Sequence, residues 1–425
     1  MNRRLFLGQS AALLGTTAGI NKLALASSQT KAQVVVVGAG YGGATAAKYI
    51  RMLSNNSIGV TLIEPNPNFI SCPLSNLVVG GEEKIGALTS SYSGLTDQHG
   101  INMVQDMVAK VDTQKKTVTT AGGNTIAYDK LVLSPGINMY MDSIEGLAQA
   151  NADGITLQAW KAGPETVALH QQIADMPDGG VVALSIPLAP YRCPPGPYER
   201  TCQIANYLKA NKPKSKIVVF DSNPDVASKG KLFKAAWADL YEGYIDYRPA
   251  HKVIGVDGKA RTLKFEFEDD FKADVLNVIP TMGAGNLVVD TGLANMNNRW
   301  AEVDFLNFES TQAKDVHIVG DSIQVAPRMP KSGHMANQQA KVAAAAIVSE
   351  INDFPVNPQP VVTNTCYSFV NGSEVVHVAS VHQYVPEQKT FLPVKGAGGL
   401  SPGPSRLEGI YAWGWAKNIW SDTVG

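Results

Sequence analysis

Four cysteines, Cys72, Cys193, Cys202 and Cys366, are the residues of this chain with the most chemistry to offer. They are too few to staple 425 residues together, so each asks for its own explanation. Cys193 stands in a proline-framed turn, PYRCPPGPYE at 190–199, and Glu199 follows six residues later. A carboxylate beside a sulfur centre could take a proton from hydrosulfide or a thiol if burial raises its pKa toward neutrality. In the first turn of a helix the same residue could equally be a capping charge. Cys202 falls within the helix that PGPYERTCQIANYL predicts, and reads as a small buried hydrophobe or as a competing disulfide partner. A bridge between Cys193 and Cys366 could be an inert cross-link. It could also be an electrophile that a sulfur nucleophile opens to a persulfide and a thiolate.

Sulfur chemistry of that kind needs an electron acceptor, and the N-terminal segment supplies the site for one. In AQVVVVGAGYGG four valines predict a buried strand, and Gly38, Gly40 and Gly43 follow in G-x-G-x-x-G order ahead of a helix. These glycines allow a tight turn, close approach of a pyrophosphate and close helix packing. The next strand, GVTLIEPNP, ends in Glu64, where a carboxylate can accept hydrogen bonds from an adenosine ribose. Two distant segments favour FAD over NAD: YDKLVLSPG, a strand turning at Pro135 and Gly136, and AKDVHIVGDS, a strand ending in Gly320 and Asp321. The helix predicted after MPKSGHMANQQ would direct its N-terminal amides at the flavin. Cys72, in NPNFISCPLSNLVVGG, then lies in a loop along the flavin, where it could form a thioether at the 8-methyl group or pair with another cysteine.

A reductase fed by NADH would carry a second glycine loop near residues 180–190. Here the strand VVALSIP runs into Pro187, Leu188, Pro190 and Tyr191, and proline withdraws the N–H groups that a phosphate cradle uses. The expected architecture is α/β. Residues 32–145 and 280–350 form an FAD-binding domain, 146–279 a second Rossmann-like domain without an NADH loop, and 355–425 a C-terminal α+β domain. The last part reads as strands, a GAGG loop and an aromatic tail holding Tyr411, Trp413, Trp415 and Trp420, with no long amphipathic helix.

The composition, 44% hydrophobic and 17% charged, is globular. Residues 1–26, opening MNRRLFLGQSAALLG, read as a twin-arginine export signal ending at Ala26. Its loss removes three basic residues and no acid, taking the formal charge from −1 to −4, which argues against a nucleic-acid surface. No later apolar run is long enough to span a bilayer, so a periplasmic protein exported in folded form is expected. The spacing of Cys193 and Cys366 gives no argument for a metal site, and C-x-x-C-H is absent, so any haem is expected on a partner.

Together SCPLSNLVVGG, YRCPPGPYER and WAKNIWSDTVG resemble the flavoprotein subunit of flavocytochrome c sulfide dehydrogenase, a relative of the sulfide:quinone oxidoreductases, along nearly the whole chain. That resemblance implies two dinucleotide-binding-type domains of the disulfide-reductase kind. It implies FAD attached covalently through Cys72, a redox-active disulfide between Cys193 and Cys366, and Glu199 as an acid or base. Sulfide would be oxidised to sulfur or polysulfide, and electrons passed to a small c-type cytochrome subunit carrying haem. Alternatives are a quinone as acceptor, a coenzyme A disulfide reductase, or an electron-transfer or assembly flavoprotein with structural cysteines only.

Overall fold

The structure is a computed structural model and describes residues 30–425; the export-signal reading falls on residues outside these. The valine run forms β1 (Gln33–Val37), and the glycine loop turns it directly into α1 (Tyr41–Leu53). There follow β2 (Gly59–Ile63), the short α2 (Ser75–Val79), β3 (Asn102–Val104) and β4 (Lys130–Leu133). The chain then builds a second sheet from β5 (Thr156–Leu157), β6 (Val181–Ile186), β7 (Lys216–Asp221), β8 (Ile245–Pro249) and β9 (Val275–Val278). Helix α3 (Gly196–Asn211) joins β6 to β7, and α4 (Gly230–Leu240) joins β7 to β8. The return segment adds β10 (Val303–Asp304), β11 (Glu309–Ser310), β12 (Val316–Ile318) and α5 (Gly333–Ile351) to the first domain.

The first sheet has the order β10-β11-β12-β4-β1-β2-β3, with its five strands from β12 to β3 parallel. The second, in the order β5-β9-β6-β7-β8, is parallel throughout. Both are buried on their two faces, which is why β1 and β6 read as unbroken apolar runs rather than alternating ones. Ligands of such sheets bind beyond the carboxyl ends of the strands, where Gly38 and the 187–195 turn lie.

The C-terminal part is an antiparallel sheet of β13 (Val361–Phe369), β14 (Val375–Val385) and β15 (Thr390–Leu400), closed by α6 (Arg406–Val424). Two expectations are corrected here. The GAGG segment belongs to β15, where Gly398 sits at a register shift against β14 and a Cβ would meet the Ala379 carbonyl O at 2.4 Å. The aromatic tail is a 19-residue helix. Its buried stripe is Gly409, Ala412, Ala416, Ile419 and Thr423, spaced by three and four, and its N-terminus is capped by Ser405, whose hydroxyl accepts from Leu407 N–H at 3.2 Å. Gly409 is needed where the helix crosses the turn between β13 and β14: a Cβ there would come within 2.2 Å of the Ser373 carbonyl O. Its first turns leave Leu407, Ile410 and Tyr411 exposed. The tail therefore offers no argument against a greasy surface. Among the described residues no helix is long and apolar enough to cross a membrane.

Candidate active site

The glycine loop has the geometry of a dinucleotide cradle. Gly38 adopts φ +89, and a Cβ there would lie 2.4 Å from the Ser134 carbonyl O; one on Gly43 would lie 1.8 Å from the Gly38 carbonyl O. Beside Gly40 the space is open, as a phosphate approaching the backbone requires. Glu64 ends β2 beneath this loop; its Oε2 accepts from Ala39 N–H at 2.8 Å and its Oε1 from the backbone and side chain of Asn66. Pro135 and Gly136 follow β4 on the neighbouring strand, with Gly136 at φ +73 and open space where a side chain would stand. Gly320 and Asp321 follow β12, and Gly320 N–H is held by Gln339 Oε1 at 2.8 Å. Asp321 Oδ1 is buried without a protein partner, as is the indole N–H of Trp415. Burial raises the Asp321 pKa, with Arg192 and Lys331 opposing. Cradle, strand-end acid and unpartnered carboxylate fit FAD.

Beside these segments opens a cleft that gathers Cys72, Cys193, Cys366 and Glu199. Cys72 enters on the turn before α2, where Ala162 N–H points at its Sγ at 3.5 Å. Cys193 is held in a left-handed turn at φ +58, its N–H donated to the Lys331 carbonyl O and its carbonyl accepting from Gly196 N–H. Cys366 lies on β13 beside Asn364, and Ser332 and His334 at the start of α5 line the cleft next to it, Ser332 Oγ donating to Asn364 Oδ1 at 2.6 Å. All four cysteines carry free thiols in this structure. Burial pushes the Cys193 and Cys366 thiols up, and each sulfur lies in the other's field or in that of common charges.

Glu199 lies in the first turn of α3 but does not cap it. It is buried, and its two oxygens are held by Phe369 N–H at 2.8 Å and Asn76 Nδ2 at 2.9 Å. Burial raises its pKa above the usual carboxylate range, the first requirement of a proton acceptor near neutrality. Cys202, on the same helix, is fully buried away from the cleft with Trp237 Nε1 donating to its sulfur at 3.2 Å, which leaves it a core residue.

Several residues of the site were not read from the sequence. Arg200 is buried and donates to Asn76 Oδ1, Asn277 Oδ1 and the carbonyls of Gln158 and Ala159, so its guanidinium faces the cleft without an ion pair. Burial brings its pKa down to about 10. Arg192 senses Cys72, Asp321 and Cys193 at once and so links the flavin acid to the sulfur cluster. Trp160 and Asn76 complete the walls, joined by Trp415 of the aromatic tail that the sequence had set apart. Arg192 alone had a signal within reach, its place next to Cys193.

The second sheet ends differently. After β6 the chain runs through Pro187 and Pro190, and the strand-end acid of β7, Asp221, is occupied by the protein itself. Tyr198 and Tyr247 donate to its Oδ2 at 2.8 and 2.9 Å, and Asn223 donates to its Oδ1 twice. The carboxylate placed for the adenosine ribose of NADH accepts four hydrogen bonds from the protein itself.

Fold and site thus define a flavoprotein of the disulfide-oxidoreductase class, and comparison with known proteins narrows it. Residues 32–163 match the pyridine nucleotide-disulphide oxidoreductase family model. Residues 166–280 match the central part of the sulfide dehydrogenase [flavocytochrome c] flavoprotein chain, and 358–424 its flavin-binding part. A flavoprotein chain of that name from Chlorobaculum thiosulfatiphilum is 59% identical over 46 residues, covering 11% of this chain and 94% of the relative. The mitochondrial sulfide:quinone oxidoreductase of Dictyostelium discoideum is 23% identical over 336 residues, 76% of this chain and 72% of that one. The solved sulfide:quinone oxidoreductase of Aquifex aeolicus superposes with a TM-score of 0.75 at 20% identity, covering 92% of this chain and 91% of that chain, a likeness of fold. The chain belongs to the flavocytochrome c sulfide dehydrogenase flavoprotein family. It is a flavin-binding oxidoreductase of the sulfide-oxidising flavoproteins.

Proposed function

We propose that the protein oxidises sulfide at a Cys193–Cys366 disulfide, with FAD attached through Cys72 and a c-type cytochrome subunit as the electron acceptor. The observation that carries this reading is the meeting of three cysteines and a buried glutamate in one cleft beside the flavin loops. Bound FAD supplies a two-electron acceptor that can pass electrons on singly. The chain's own residues do the rest. Arg192 and Arg200 make the cleft attractive to hydrosulfide, an anion entering a low-dielectric space. Glu199 takes the proton when the neutral form enters. Hydrosulfide adds to Cys193, which becomes a persulfide, and Cys366 leaves as a thiolate. Further turnovers lengthen or release the chain as sulfur or polysulfide.

The cytochrome acceptor rests on the two family matches at 166–280 and 358–424. Export to the periplasm in folded form belongs to the same reading. A quinone acceptor is the second reading, favoured by the exposed Leu407, Ile410 and Tyr411 on α6. Mass spectrometry of a non-reducing digest of the purified protein tests the covalent part. The expected products are a Cys72 peptide heavier by one flavin and a linked Cys193–Cys366 pair; unmodified, unlinked peptides would sink the proposal.

A further inference from the structure

Lys229 is a buried ammonium with an unusual set of partners. It precedes α4 with a left-handed backbone at φ +57 and is 6% exposed. Its side chain leaves its own domain and enters the C-terminal sheet, where Nζ donates to Ser368 Oγ at 2.7 Å, to the Cys366 carbonyl O at 3.0 Å and to the Val376 carbonyl O at 3.2 Å. Phe233 of α4 covers it from one side, 5.6 Å from Nζ to the ring centroid. None of these partners is a carboxylate. A buried cation held by dipoles alone is costly, and folds seldom keep one without a use for the charge.

The charges that face it come from four elements: the sulfurs of Cys193 on its turn and Cys366 on β13, Glu199 on α3, and Glu408 on α6. Glu199 spends its oxygens on Phe369 and Asn76 and makes no ion pair with Lys229. Cys366 is the nearest of these groups along the chain to the carbonyl that Lys229 binds, and Lys229 is the foremost influence favouring its ionised form.

We infer that Lys229 is a positioning residue for the sulfur chemistry, the counter-charge that holds Cys366 as a thiolate once the bridge opens. The inference rests on the reading of Cys193 and Cys366 as the reacting pair. In that step hydrosulfide forms a sulfur–sulfur bond to Cys193 and the Cys193–Cys366 bond breaks. The proton of hydrosulfide stays on the persulfide, and the electron pair of the broken bond remains on Cys366. One negative charge therefore enters with the substrate and ends on Cys366, beside the one ammonium that already touches its residue. Lys229 stabilises the charge that this direction of cleavage leaves on Cys366.

The test uses the flavin-loaded protein, reduced anaerobically with dithiothreitol and pulsed with iodoacetamide across a pH series. Mass spectrometry then follows alkylation of the Cys366 peptide, since only the thiolate reacts. Lys229→Gln is expected to move the midpoint of alkylation up by about one pH unit or more. Lys229→Arg, charged throughout the series, is expected to leave it at or below the wild-type value. A role confined to stapling two domains would leave the midpoint in place, so an unmoved midpoint in a folded, flavin-loaded Lys229→Gln protein overturns the inference. If Lys229→Gln does not fold, a midpoint that rises in Lys229→Arg overturns it as well. Failure of the underlying reading is separable: sulfide bleaching of the flavin in Cys366→Ser removes the reacting pair, whatever the alkylation series shows.

Discussion

Glu199 shows what a single side chain gains from its place in the fold. A glutamate in the first turn of a helix is ordinarily a solvated partner of the helix dipole. Here it is buried between α3, α2 and β13, and burial outweighs the hydrogen bonds from Phe369 and Asn76 that favour its anion. As a proton acceptor it works only when ionised, so reduction of the protein by sulfide is expected to slow as pH falls through its raised pKa. Glu199→Gln is expected to lower the reduction rate about 100-fold, within the range for general bases, and to remove that acidic limb. Stopped-flow reduction across pH measures both, and an acidic limb that survives in the variant counts against the role. Cys72, Cys193, Cys366 and Glu199 stood out in the sequence because each is rare or oddly placed. Arg200 and Lys229 did not, because a surface lysine and a buried one look alike in sequence. The partners that set Arg200 apart lie 41 to 124 positions away, and those of Lys229 lie 137 to 147 away.

At the scale of elements, legibility follows how tightly local geometry restricts residue choice. The Gly38–Gly43 turn could be read because phosphate approach and helix packing each forbid a Cβ at a fixed offset from β1. The missing NADH loop could be read for the converse reason, with proline where N–H groups are needed. Helix α6 escaped notice because its buried stripe holds glycine, alanine and threonine with one large apolar residue, Ile419, while its tryptophans lie off that stripe. Trp415 reaches the cleft, and Trp420 donates to Tyr41 OH at 3.0 Å. The closeness of α6 to the turn between β13 and β14 makes a prediction. Gly409→Val forces a methyl-bearing Cβ against the Ser373 carbonyl O and is expected to cost about 1–3 kcal/mol, read as a lowered denaturation midpoint. Gly414→Ala, with nothing within 4 Å of its Cβ, should instead stabilise by up to about 1 kcal/mol, since alanine is the better helix former. Equal effects at the two positions would mean that α6 does not pack as described.

For the whole molecule, three domains contribute to one cleft: the first brings Cys72 and the flavin loops, the second Cys193, Glu199 and Lys229, and the C-terminal sheet Cys366. The arrangement explains why fold class was legible and the site only in part. Each sheet announces itself in a local apolar run, whereas the cleft exists only where the three units meet. The second domain keeps the form of a dinucleotide-binding unit while its strand-end acid is bound by its own tyrosines. The proposed entry of electrons to the flavin through sulfur is decided by an anaerobic titration. The flavin-loaded protein is titrated with sulfide and, separately, with NADH, following flavin absorbance. Sulfide is expected to bleach the flavin and NADH to leave it oxidised, with bleaching lost in Cys193→Ser and Cys366→Ser. Bleaching by NADH, or by sulfide in both serine variants at the wild-type rate, would contradict a reaction that runs through the cysteine pair.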